Sequence, residues 1–292
     1  MSYVIPESEL IINPDGSVYH LHLRPEQIAD TIITVGDPGR VKEVTKHFDS
    51  IEHTVQYREF LTQTGMMGLK RLTVISTGIG TDNIDIVFNE LDALANIDLR
   101  TRMVKQDIKS LDIIRLGTSG AVSPEVELDS LLLSECAIGI EGLMTYYDQH
   151  ASIQETLLAE AFRNHIHVAM PAIAPYAAFA DQGLLERFDQ MGRRGLTLTA
   201  PGFYAPQGRH LRYESKATEL MGLIRSFRHL NYVVTNLEME TSGIYGLGKH
   251  LGHRCLSINA IVAQRVGNVF SKDAGKVVDR MIREALEIIV SS

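Results

Sequence analysis

Cysteine is nearly absent: 292 residues carry only Cys136 and Cys255, each inside an apolar segment and with no CxxC spacing. That argues against a disulfide framework or a structural zinc and fits a reducing, cytoplasmic compartment. Basic residues are in deficit, 28 Lys and Arg against 36 Asp and Glu, giving a formal charge of −8 with no basic block of five or more. Neither nucleic acid nor an anionic membrane is an expected partner, although a pocket in an acidic protein can still be locally positive. The N-terminal MSYVIPESEL has no basic-then-apolar leader, and no run of about 18 apolar residues occurs, so a cytosolic protein is expected. Two glycine fingerprints are missing as well. No GxGxxG opens a helix after a strand and no GxxxxGK[ST] exists, which removes the usual dinucleotide and nucleoside triphosphate sites.

What is present is an ordinary globular balance, 45% hydrophobic and 22% charged, in a chain long enough for a large α/β domain. Strand-like runs at 31–35, 72–76, 112–116, 196–199 and 254–263 alternate with helical patterns at 41–48, 84–97, 153–164, 216–229 and 241–251. Such alternation predicts a sheet covered by helices on both faces. Ala274, Val277, Val278, Met281, Ile282, Ala285 and Ile288 recur at helical spacing and predict a C-terminal helix over 272–290. Residues 98–110 read as a polar extension. Residues 1–18 read as a poorly packed arm before a single domain, 19–292, since no Pro/Gly/Ser linker divides the chain.

Three strand ends carry glycine-rich turns: TVGDPGR (34–40), STGIG (76–80) and RLGTSG (115–120). Ligands of open α/β sheets bind at the carboxyl ends of strands, and glycines let backbone N–H groups turn toward an anion. Arg40 and Arg115 belong to two of these turns, and Arg58 of YREF offers a third guanidinium. Taken singly, each is a tight connection beside a surface charge. Together they suit inorganic phosphate, which carries about 1.5 to 2 charges and matches the guanidinium fork. Farther on, FYAPQGR (203–209) sets a ring, an amide and a guanidinium within seven residues, a set suited to a planar heterocycle with adjacent carbonyl and N–H groups. Glu238 and Glu240, two apart, would share one face if they lie on a strand, and a carboxylate there can grip a vicinal diol.

The ordered set VGDPxR, REF, STGIG, RLGTSG, FYxxQGR and EMET resembles the nucleoside phosphorylase family over about residues 19–264. The FYxxQGR form is similar to its uridine-cleaving members. The resemblance implies a three-layer α/β/α sandwich with a mixed, partly barrel-like central sheet. It also implies reversible phosphorolysis of uridine, deoxyuridine or thymidine, with phosphate as co-substrate and no cofactor. By resemblance Gly36, Arg40, Arg115 and Thr118 bind phosphate, with Arg58 supplied by a neighbouring copy. Met239 and Glu240 hold the ribose, and His20, or its competitor His22, reaches the 5′ hydroxyl from the neighbour. Phe203 stacks on the base, Gln207 pairs with it, Arg209 takes the charge of the leaving base, and Ile261 and Val262 wall the pocket. Arg115, Arg209 and Glu240 are the implied catalytic groups. A homo-oligomer with shared sites follows, either a dimer or a hexamer built as a trimer of dimers.

Purine-cleaving relatives place an aspartate where this chain has Ala263, which disfavours purines, while Gly243-Ile244-Tyr245 is similar to those relatives. Pro206 alters the base loop relative to many uridine enzymes. Some relatives bind a monovalent cation such as potassium, for which Glu59 and Ile79 match but Asn83 replaces a serine. A nucleosidase would need no trio of arginines, a non-catalytic binder would show a lesion in the set, and an oxidoreductase would need the missing glycine fingerprint.

Overall fold

In the computed structural model, which describes residues 3–148, 150–215 and 218–291, the β-branched run Thr31–Val35 forms β1 and is almost wholly buried. Asp37 caps α1 (Pro38–Thr45) by accepting from the Gly39 N–H at 2.6 Å, with Pro38 in the first turn, where a missing donor does no harm. An antiparallel meander follows: β2 (Ser50–Tyr57), β3 (Phe60–Met67) and β4 (Lys70–Ser76). α2 (Thr81–Asn96) turns Ile84, Val87, Phe88, Leu91 and Leu94 inward at helical spacing. The polar section after it holds a short ribbon, β5 (Ile97–Asp98) with β6 (Met103–Val104). Ahead of Tyr19, Leu10, Ser17 and Val18 are buried, and Arg102 donates to the carbonyls of Ile5 and Leu10.

β7 (Asp112–Ala121) runs straight through Gly-Thr-Ser-Gly, which the sequence reading had as a turn beyond the strand. β8 (Leu131–Gly139) leads to α3 (Ile153–Ile166), which opens on a capping box of Ser152 and Glu155. Then come β9 (Tyr176–Phe179), α4 (Gln182–Arg187), β10 (Arg193–Thr199), α5 (Thr218–Ser226) and β11 (Val234–Glu238). Positions 216 and 217, where the sequence places the start of α5, lie outside the described residues. α6 (Thr241–Leu251), β12 (Arg254–Gln264), β13 (Val269–Phe270) and α7 (Ala274–Val290) complete the chain.

Among the described residues, eleven strands join one mixed sheet. β7 pairs with β12, β12 with β8, β8 with β10, β10 with β11, and β11 returns to β7, so five strands close into a barrel. From β7 the sheet continues open through β1, β4, β3 and β2. One face packs on α1, α4 and α7, where Val277, Met281, Ile282 and Ala285 are buried as their spacing predicts. α2 and α6 cover the opposite face, and α3 and α5 close around the barrel through Phe162 and Ile224. The result is the expected three-layer α/β/α sandwich with a partly barrel-like sheet. No described helix is long and apolar enough to cross a membrane.

Candidate active site

A cavity of about 420 Å³ opens where β1, β4, β7, β11 and β12 end, the size range of small-molecule sites. Gly36, Asp37 and Arg40 reach it from the turn into α1, Gly78 and Ile79 from the turn after β4, and Arg115, Thr118, Ser119 and Gly120 from β7. Arg115 is buried. Its Nη2 lies 2.5 Å from Glu240 Oε2 and 3.3 Å from Glu238 Oε2, and its Nη1 donates to Asn259 Oδ1 at 3.1 Å. Gly117 explains the glycine two residues on: a Cβ there would sit 1.7 Å from Arg115 Nη1. Side chains at i and i+2 of a strand share a face, so only glycine leaves that face open to the guanidinium. Burial works against the charge of Arg115, but Glu238 and Glu240 outweigh it and hold its pKa above the ordinary value. Arg40 donates to the Leu116 carbonyl at 3.4 Å, and its pKa is lowered by burial and then by Arg115.

The two glutamates do not share a strand face as the spacing suggested. β11 ends at Glu238, and Glu240 is the N-cap of α6. Glu238 is spent on structure: it accepts from the N–H groups of Glu240 and Thr241 at 2.9 and 2.8 Å and from Thr199 Oγ1 at 2.6 Å. Anchoring the first turn of a helix, where donors have no intrahelical partner, suits a carboxylate. Glu240 instead accepts from the Gly80 N–H at 2.8 Å and from Arg115, and it lines the cavity with Met239. Burial raises the pKa of its carboxyl, Arg115 pulls it back, and Glu238 pushes it up again.

The third group comes from the loop after β10. Phe203 is half exposed, Gln207 is buried, and Arg209 lies 3.6 Å over the Phe203 ring while donating to Gln207 Oε1 at 2.7 Å. Pro206 sits in a single 3-10 turn (Ala205–Gln207) closed by Gly208 at φ 67°, where a Cβ would strike Met221. Burial and then Arg265 lower the Arg209 pKa to about 10. Arg265 is the residue that the sequence reading missed. It donates to the Gln207 carbonyl at 2.9 Å, its Nη1 is buried without a partner, and it lies against Gly120. The only signal was its place one residue beyond β12.

Gly36, Arg40, Arg115, Thr118, Phe203, Gln207, Arg209, Met239, Glu240 and Val262 thus converge. Ile261 does not. The register of β12 against β7 shifts between Ile261 and Ala263, so the successive residues Val262 and Ala263 both reach the cavity while Ile261 packs on Ala121, Val126 and Leu132. Tyr245 is also elsewhere, buried in the core with its hydroxyl donating to the Ser134 carbonyl at 2.6 Å. His20 and Arg58 lie outside their own cavity in one surface cluster. Arg58, at φ 53°, sits over Tyr19 and Tyr57, His22 stacks on Tyr57, and His20 Nδ1 is 2.6 Å from Glu90. Glu59 and Asn83 flank Gly78, and Ile79 is exposed. One carboxylate and one amide leave a cation shell incomplete in a single protomer, and no cluster of three or more His, Cys, Asp or Glu occurs among the described residues.

Residues 30–290 match the family model described as the Phosphorylase superfamily. A uridine phosphorylase of Thermococcus kodakarensis is 28% identical over 281 residues, 94% of this chain and 87% of that relative. A purine nucleoside phosphorylase (DeoD-type 2) of Photobacterium profundum is 25% identical over 282 residues, covering 93% and 98%. Among solved structures, a Trypanosoma brucei nucleoside phosphorylase described as showing uridine phosphorylase activity superposes with a TM-score of 0.88. It is 30% identical, over 97% of this chain and 100% of that one.

Proposed function

The chain belongs to the phosphorylase superfamily, as a nucleoside phosphorylase and so a pentosyltransferase, and on that premise we propose that its nucleoside is uridine. One observation carries the reading: a single cavity gathers Arg40 and Arg115, the diol-binding candidate Glu240, and the Phe203–Gln207–Arg209 loop. Phosphate, the family's co-substrate, would sit on Arg40, Arg115, Thr118 and the Gly36 turn. Two guanidinium groups facing two carboxylates leave that end near neutral. A dianion calls for a further cation, and Arg58 of a second copy would supply it, with His20 of that copy at the 5′ hydroxyl. A homo-oligomer is therefore part of the proposal.

Glu240 would accept from the 2′ and 3′ hydroxyls beside Met239. The uracil ring would replace the contact of Arg209 with Phe203. Gln207 would offer its N–H to O2 and its oxygen to N3–H, and Arg209 would face O4. As the C1′–N1 bond breaks, its electron pair leaves with uracil, and a phosphate oxygen forms the new bond to C1′. Catalysis then rests on placement and on charge fixed in advance: Arg209 meets the developing base anion, and phosphate meets the cationic sugar. No covalent enzyme intermediate is needed. Ala263 on the cavity wall offers purine N7 no proton, and a site built around matched hydrogen bonds can reject an unmatched base by about 10⁴ or more.

The test is a nucleoside panel with and without phosphate, following free base and ribose-1-phosphate. Uridine should be the best substrate, and only with phosphate. Inosine outpacing uridine would replace the base assignment, and cleavage independent of phosphate would make the chain a nucleosidase.

A further inference from the structure

The interior of the five-strand barrel is polar where a hydrocarbon filling would be ordinary, and its polar groups are connected. Starting at Arg115 on β7, Nη1 donates to Asn259 Oδ1 on β12 at 3.1 Å, and Asn259 Nδ2 donates to Ser134 Oγ on β8 at 3.0 Å. Ser134 Oγ meets Thr197 Oγ1 on β10 at 2.6 Å. Thr197 donates to Asn236 Oδ1 on β11 at 2.9 Å, and Asn236 Nδ2 donates to Ser119 Oγ, back on β7, at 3.0 Å. Each of the five barrel strands contributes, all six residues are buried, and both ends of the circuit line the cavity. Every link points the same way round, because Thr197 gives its proton to Asn236 and so receives one from Ser134. Hydrogen bonds arranged head to tail polarise and reinforce one another in a low-dielectric interior.

Asn259 is the link that acts on Arg115. The guanidinium is divided between two pulls: Nη2 goes to Glu240 and Glu238, and Nη1 goes to the Asn259 oxygen over the open face of Gly117. Ser257 Oγ stands at 3.5 Å from the same Nη1 and is itself tied to Thr241 at 2.9 Å. Ser134 fixes which end of the Asn259 amide faces Arg115, because its oxygen must accept the amide N–H. We propose that Asn259 is the positioning residue of the phosphate end. Its neutral carbonyl, oriented by the barrel circuit, keeps Nη1 out of the carboxylate pairing that Nη2 already makes and so fixes the guanidinium plane presented to the anion. The proposal rests on the reading that Arg115 binds phosphate.

The choice of an amide is informative. An acid here would also accept from Nη1 but would add a third negative charge beside Arg115 and repel phosphate. An apolar residue would leave Nη1 with only the long Ser257 contact, and a poorly paired buried donor next to carboxylates relaxes toward them. The experiment compares Asn259→Ala, Asn259→Asp and Ser134→Ala in the full chain by steady-state kinetics, thermal unfolding and crystallography. Asn259→Ala should raise the phosphate KM roughly 10-fold or more, the loss expected of a buried charged hydrogen bond, with the uridine KM within about twofold. Its crystal structure should show the Arg115 guanidinium rotated, with Nη1 turned away from position 259 and toward Glu238 and Glu240. Asn259→Asp should leave the guanidinium in place and still weaken phosphate, and Ser134→Ala should shift the phosphate KM in the same direction by less.

A folded Asn259→Ala protein with unchanged phosphate KM, or with both KM values raised alike, overturns the proposal. Should Asn259→Ala not fold, Asn259→Asp and Ser134→Ala decide: an unaltered phosphate KM in both overturns it equally. Should the wild-type protein turn over without phosphate, the phosphorolysis reading fails on that measurement alone. The position of Arg115 in the Asn259→Ala crystal then still decides whether Asn259 places it.

Discussion

At the scale of single residues, Gly117 and Glu141 yield the sharpest expectations. The strand conformation of Gly117 needs no positive φ, so an alanine there is acceptable to the backbone, yet its Cβ would fall 1.7 Å from Arg115 Nη1. Gly117→Ala should therefore fold with near wild-type circular dichroism while its phosphorolysis rate falls about 100-fold or more, since an ångström of misplacement can cost that much. Retained turnover would mean that Arg115 is not the anion's partner. Glu141 is partly buried, accepts from Ser242 Oγ at 2.9 Å and from the Tyr176 hydroxyl, and desolvation raises its pKa above the ordinary carboxylate value. The native state then holds this proton more tightly than the unfolded chain. Its contribution to stability is complete below the ordinary carboxylate pKa and is lost as pH rises through the higher native value. Glu141→Gln cannot ionise, so denaturant midpoints followed from pH 4 to pH 8 should decline less steeply than in the wild type. Parallel curves would remove Glu141 from this role.

At the scale of elements, the central helices and strands were legible because their apolar residues follow one period. Thr31–Val35 and Thr241–Leu251 match their expected spans, and α7 buries the residues that its spacing selects. β2 escaped notice because it is largely exposed, and β3, its partner, carries threonines and glutamine in the middle of the strand. Leu131–Gly139 is buried except at Glu135, and its apolar stretches, broken by Ser134 and Glu135, are too short for periodicity to separate strand from helix. Reading Gly-Thr-Ser-Gly as a turn failed for a physical reason. Its first glycine serves a side chain rather than a reversal, with Gly117 clearing Arg115. The site was legible where residue types were unusual for their place, as with Arg115, Gln207 and Glu240. It was not legible where long-range contact decides, as with Arg265 and Asn259. α1 tests the coupling of element to site. Asp37→Ala removes its cap and should cost about 1 kcal/mol in chemical denaturation. It should also weaken phosphate, because Arg40 is in the first turn of that helix. Asp37→Asn, which can still accept from Gly39, should restore stability; failure to do so would indicate that the cap is not the cause.

At the scale of the whole molecule, the surface cluster of Tyr19, His20, His22, Tyr57 and Arg58 stands apart from the cavity of its own protomer. Glu90 accepts from the backbone N–H groups of His20 and Leu21 as well as facing the His20 ring, so this cluster is anchored to α2 rather than loosely draped. If it serves a second copy, chains carrying Arg58→Ala and chains carrying Arg115→Ala should each be inactive alone. After unfolding and refolding together they should recover, because one mixed pairing restores a complete site. For random dimers that amounts to about a quarter of wild-type sites. No recovery in demonstrably mixed oligomers would return Arg58 to a role on its own surface.

Closure of the five strands into a ring has a further consequence. A ring of staves has no rim along which one member could slide by a residue without unseating its neighbours on both sides. Changes in which base is accepted are therefore expected to accumulate in the 203–209 loop above the ring, where a substitution re-letters the lock without loosening the cask.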